Sequence, residues 1–142
     1  PESYAAVFIG VLRLSDGLLT FVNCGHVPPV RVRRLGSAEP DLLTTGGTVI
    51  GAVRDAHYEE RAVTLASGDA LVCFSDGVTD SRDNRRECFG EERVAELARE
   101  TLDLPAQEIA EGVAQAADKH AARSGQDDVT ILVICRGKSG KT

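Results

Sequence analysis

The chain contains no methionine and no tryptophan, and only two tyrosines and four phenylalanines. A sequence that opens at Pro1 with no methionine anywhere reads as an excised or processed piece of a longer protein. It also lacks a long apolar run. The longest stretch without a charged residue, Gly17 to Val30, is interrupted by Asn23, Gly25, His26, Pro28 and Pro29, whereas a membrane-spanning helix needs roughly 20 apolar residues, so no transmembrane segment is expected. No basic, then apolar, then small-residue order marks a secretory signal at the N-terminus. Positive charge is short as well: 16 Lys and Arg against 22 Asp and Glu leave a net charge of −6, which gives a phosphate backbone nothing to bind and argues against a nucleic-acid partner. The four cysteines, Cys24, Cys73, Cys88 and Cys135, form no C-x-x-C pair. Cys73 and Cys135 lie inside apolar runs, as buried thiols do, and a reducing cytoplasm is the expected setting.

What is present fills one domain. The 142 residues suffice for one hydrophobic core and are too few for two. Tyr4–Leu14 and Leu18–Asn23 are apolar, β-branched runs separated by Ser15-Asp16-Gly17, which predicts a hairpin. Val30–Leu35 alternates, placing Arg31 and Arg33 on one face of a half-exposed strand. Tyr58–Leu65, the turn Ser67-Gly68-Asp69 and Ala70–Phe74 predict a second hairpin. Glu91–Thr101 has Val94, Leu97 and Ala98 at helical spacing, and Pro105–Ala122 is a longer helix with Ile109, Val113, Ala116, Ala117 and His120 as its stripe. Val129–Cys135 is so uniformly apolar that it is expected in the middle of a sheet. Strands early and helices late argue α+β, with a mostly antiparallel sheet covered by helices. The domain is read as residues 1–135, and residues 136–142 as a disordered basic tail whose spacing fails the phosphate-loop pattern because Cys135 stands where its first glycine belongs.

Two places put acids at the mouths of apolar strands. One is Leu71–Gly77, ending in Asp76-Gly77; the other is Gln126-Asp127-Asp128, just before Val129. If the strands are neighbours the carboxylates converge, and clustered like charges of hard oxygen character suit Mg²⁺ or Mn²⁺. Other schemes fail on spacing. A cysteine phosphatase needs an Arg six positions after its Cys, but Val30, Thr79, Val94 and Lys141 stand there. Ser75 lacks the leading glycine of a nucleophile elbow, and no H-x-x-x-H pair suggests zinc. His26, in a Gly/Pro-rich turn, is assigned a structural hydrogen bond. Arg31, Arg33 and Arg34 are assigned to a solvated strand face, and Arg82–Arg86 to a polar loop.

The blocks Asn23-Cys24-Gly25-His26-Val27-Pro28-Pro29, Gly46 to Ile50-Gly51, Leu65 to Asp80, Phe89-Gly90 and Gln126-Asp127-Asp128-Val129-Thr130 together resemble the PPM-type metal-dependent Ser/Thr phosphatases, in the branch of stage II sporulation protein E and RsbU. The resemblance implies an αββα layered sandwich with a two-metal centre of Mn²⁺ or Mg²⁺, whose metal-bound water attacks a phosphoserine or phosphothreonine. It implies Asp76 and Asp127 as catalytic metal ligands, Asp128 as the residue orienting the Asp127 ligand, and Gly77 as a close-packing position at the site. It leaves the substrate-binding residues unassigned. The implied substrate is a phosphorylated STAS-domain anti-anti-sigma factor. Cys24 and Asp80 depart mildly from the family pattern. The G-D-x-x-G-H-G block that supplies the bridging aspartate has no counterpart, so the expectation is a domain without its N-terminal strands and first helix, weak or inactive alone, with an exposed core face that invites a homodimer. The alternative is a non-catalytic phosphatase-like module that binds a STAS or anti-sigma partner.

Overall fold

The computed structural model describes residues 3–37, 39–44, 46–122 and 127–137. In chain order the elements are β1 (Val7–Arg13), β2 (Leu18–Cys24), β3 (Val30–Val32), β4 (Asp41–Leu42), β5 (Arg61–Thr64), β6 (Ala70–Phe74), α1 (Asp76–Thr79), α2 (Gly90–Glu100), α3 (Ala106–His120) and β7 (Ile131–Cys135). The fold is α+β, with two antiparallel sheets ordered β1-β2-β5 and β4-β3-β6-β7.

The first hairpin forms as its sequence predicts. Val7 pairs with Cys24 and Arg13 with Leu18. In the turn, the Asp16 carboxylate accepts hydrogen bonds from the Leu18 N–H and the Arg13 guanidinium, and Gly17 adopts a φ of 78°. The Arg13 hydrogen bond, with that from Leu18, lowers the Asp16 carboxyl to about 2.

The two sheets face each other across Leu19, Phe21, Leu43, Leu65 and Leu71, with Phe8 stacked on Phe21 at 5.3 Å. The far side of the second sheet presents Val30, Val32, Val72 and Phe74 to Val94, Ala98, Ile109 and Val113 of the helices. The layers are therefore helix, sheet, sheet. The outer face of the first sheet carries Ile9 and Val11, 54% and 72% exposed, and no helix among the described residues covers it.

Four expectations change. β5 and β6 are not a hairpin: β5 joins β2 in one sheet and β6 joins β3 and β7 in the other. The connection crosses between layers because Leu65 is fully buried between the sheets and the Asp69 carboxylate, accepting from the Ala66 and Arg34 N–H groups, fixes the crossing. β7 is an edge strand rather than a central one. Its apolar character comes from both of its faces: Ile131 and Val133 pack toward the helices and Ile134 toward the other sheet. Cys135, expected buried, is exposed at the end of that edge, while Cys24 is buried and all four cysteines are free.

Arg136, assigned to the tail, donates its backbone N–H to the Asp69 carbonyl at 2.9 Å and its guanidinium to the Leu65 and Asp16 carbonyls. Residues 138–142 lie outside the described residues. No helix among the described residues is long and apolar enough to cross a membrane.

Candidate metal centre

β6 is buried along Ala70, Leu71, Val72 and Phe74, and its pairing with β7 runs one residue past the strand, where the Ser75 N–H donates to the Thr130 carbonyl at 2.9 Å. The Ser75 hydroxyl then does two things at once. It accepts the Thr130 N–H at 2.9 Å and donates to the Asp128 carbonyl at 3.0 Å. One oxygen atom thus clasps the segment that carries Asp127 and Asp128 to the end of the strand that delivers Asp76.

Beyond Ser75 the chain turns into α1, with Gly77, Val78 and Thr79 buried and Asp76 exposed at its head. The Asp76 carbonyl accepts the Asp80 N–H at 2.8 Å. Gly77 lies against the second acidic segment: a Cβ there would stand 2.5 Å from the Asp128 carbonyl oxygen and 3.1 Å from that of Asp127. Backbone atoms cannot swing aside as side chains do. Gly77→Ala gains up to about 1 kcal/mol of helix propensity, but overpacking costs about 1–3 kcal/mol. The expected net result is a loss of about 1 kcal/mol, the middle of that difference, read as a lower urea midpoint with unchanged slope.

Gly77 and Asp127 share the lining of a cavity of about 540 Å³ with Asp80, Arg82, Asp83 and Arg86. Asp76 stands next to this cavity in sequence but is not part of its wall. Asp76, Asp80, Asp127 and Asp128 are all exposed. Among the described residues no three His, Cys, Asp or Glu side chains gather closely enough to hold a metal ion by themselves. The donor set nevertheless fits a hard cation. It is made of carboxylate oxygens only, and Mg²⁺ characteristically takes one or two protein carboxylates and completes its shell with water and substrate phosphate.

Nucleophilic side chains are poorly placed. Burial pushes the Cys73 thiol up to about 11, which keeps it protonated at neutral pH, and the Ser75 hydroxyl is already spent in the clasp.

The remaining motif residues build the frame. Asn23, fully buried, donates from Nδ2 to the His26 and Leu43 carbonyls at 3.0 Å each and accepts the His26 N–H at 2.8 Å. His26 Nδ1 donates to the Val27 carbonyl at 2.8 Å, a structural hydrogen bond as expected. Arg31 is held by Asp41 and the Thr64 carbonyl, and Arg34 by Asp103. Reading the sequence passed over Ser75 as anything but a failed nucleophile. The signal was its position between a buried strand and Asp-Gly, where a short hydroxyl side chain satisfies backbone groups.

Residues 1–137 match the family described as Stage II sporulation protein E (SpoIIE). The chain belongs to the SpoIIE family. Protein IcfG of Synechocystis is 30% identical to this SpoIIE-family chain over 135 residues, covering 94% of the chain and 21% of IcfG. Phosphoserine phosphatase RsbU of Bacillus subtilis is 26% identical over 133 residues, covering 94% of the chain and 39% of RsbU. The chain thus spans well under half the length of either relative. The phosphatase domain of Bacillus subtilis SpoIIE, from a crystal presoaked with Mn, superposes with a TM-score of 0.66 at 22% identity, over 96% of this chain and 58% of that one, and shows that the fold is shared.

Proposed function

We propose that this SpoIIE-family domain hydrolyses phosphoserine or phosphothreonine in a protein, with Asp76 and Asp127 holding a divalent cation, Mn²⁺ or Mg²⁺. The observation that supports this reading is the contact of Gly77 with the Asp127 and Asp128 carbonyls, which joins the two acidic segments. When bound, such a cation polarises the phosphoryl oxygens and lowers the pKa of water. The chain's own residues hold the frame. Ser75 and Gly77 set the separation of the two segments, and the Asp128 carboxylate orients Asp127. With the Cys73 thiol protonated and the Ser75 hydroxyl engaged, attack on phosphorus falls to water and no covalent enzyme intermediate is required.

The substrate we propose is a phosphorylated STAS-domain anti-anti-sigma factor in the cytoplasm. It is supported by the similarity to RsbU, a phosphoserine phosphatase. The absence of a G-D-x-x-G-H-G block supports slow turnover by these 142 residues alone.

The test is Mn²⁺ titration by calorimetry, combined with phosphate release from a phosphoserine peptide before and after chelation. Saturable Mn²⁺ binding, with slow release that EDTA abolishes, is the expected result. A chain that binds no Mn²⁺ and releases no phosphate would overturn the proposal in favour of a binding module.

A further inference from the structure

The wall of the cavity that holds Asp127 also holds two cations, Arg82 and Arg86, and the loop between them is built to a fixed shape. The Asp83 carboxylate accepts the Arg85 N–H at 2.8 Å and the Glu87 N–H at 2.9 Å, and the Arg86 N–H donates to the Asp83 carbonyl at 3.0 Å. These bonds, that of Glu87 foremost, hold the Asp83 carboxyl below the usual range. Arg82 Nη1 donates to the Arg86 carbonyl at 3.0 Å. Both ends of the loop are anchored at the C-terminal end of α3: Ala122 N–H, two residues past the helix, donates to the Arg82 carbonyl at 2.7 Å, and His120 Nε2, on its last residue, to the Glu87 carbonyl at 2.9 Å.

Within this frame Arg86 sits at a φ of 65°. That region suits glycine, and a long side chain is disfavoured there. A cation stands at a position where glycine is relaxed, and its guanidinium makes no hydrogen bond or ion pair with any described residue. Neither the adjacent acid, Glu87, nor Asp83 forms an ion pair with it, and the Asp83 carboxylate is directed to backbone N–H groups instead. The backbone of Arg86 is fixed while its guanidinium is exposed and unpaired in the cavity wall, and such a group can bind an oxyanion in fork geometry.

We propose that Arg86 is the substrate-recognition residue of this site, binding the phosphoryl oxygens of the phosphorylated residue as it enters the cavity. This rests on the phosphatase reading for what is bound, and it adds which residue distinguishes a phosphorylated from an unphosphorylated chain. The cavity volume falls within the range typical of small-ligand sites, roughly 300–1,000 Å³, enough for a phosphorylated side chain.

The test compares a phosphoserine peptide with its unphosphorylated form by calorimetry, with and without Mn²⁺, on wild type, Arg86→Gly and Arg86→Lys. Arg86→Gly removes the cation at a backbone angle glycine prefers, so the variant folds. Loss of a charge-assisted bond is expected to weaken phosphopeptide binding about tenfold, with Mn²⁺ affinity unchanged and Arg86→Lys intermediate. Equal phosphopeptide binding by wild type and Arg86→Gly, or no preference for the phosphorylated form in wild type, overturns the proposal. The phosphatase reading fails separately, when Arg86-dependent phosphopeptide binding persists but no Mn²⁺ binds and no phosphate is released.

Discussion

Asp127→Asn is expected to weaken Mn²⁺ binding about 100-fold while leaving the fold intact. Removing groups that merely orient metal ligands costs roughly 10–100-fold in affinity, so loss of a charged ligand belongs at the upper end of that range. The fold tolerates the change because Asp127 is exposed and its backbone, which touches Gly77, is unaltered. Surface substitutions of this kind typically stay within about 0.5 kcal/mol. Calorimetric Mn²⁺ titration, with a urea melt as the control, separates the two effects. Unchanged Mn²⁺ affinity in both Asp127→Asn and Asp76→Asn would remove the metal role from these residues.

Asn23→Ala is expected to destabilise the fold by about 3 kcal/mol. Three groups lose their partner together: the His26 N–H and the His26 and Leu43 carbonyls. Asn23 is 0% exposed, so water does not replace the amide without opening the turn. Unsatisfied buried groups cost about 1–3 kcal/mol each, and relaxation of the turn recovers part of the sum. Asn23→Asp distinguishes hydrogen bonding from packing. It keeps the shape and the acceptor but replaces the donor with a buried charge, and so should be at least as harmful. Chemical denaturation showing Asn23→Asp as stable as wild type would contradict this role of the Asn23 hydrogen bonds.

Local signals in the sequence were legible wherever one short segment decides the outcome. The β1–β2 turn follows from Asp16-Gly17, and α3 follows from Ile109, Val113 and Ala117, all of which are buried. The misreadings concern which segments meet. Gly68-Asp69 reads as a hairpin turn because a turn is there, but the burial of Leu65 and Leu71 between sheets sends the two strands into different layers. β7 reads as central because an apolar run reports two covered faces and is blind to whether both edges are paired. At the site, Asp76-Gly77 and Asp127-Asp128 were legible as strand-end acids. That the two backbone segments meet was only a conditional expectation, because it depends on the Ser75 clasp, a set of bonds between residues 53 and 55 positions apart.

That clasp joins the candidate centre to the last strand of the fold. Asp127 is brought beside Gly77 only while β7 is docked on β6, so a cation that needs both acidic segments binds the docked form alone. Binding then stabilises docking by RT ln(1 + [L]/Kd), about 2.7 kcal/mol at a hundredfold excess over Kd. By the same linkage, whatever loosens the strand at Cys135 and Arg136 would weaken the hold on such a cation. β7 and a cation held by both acidic segments would then act as ligands of one another, and saturation of the proposed centre would be registered at the edge of the sheet.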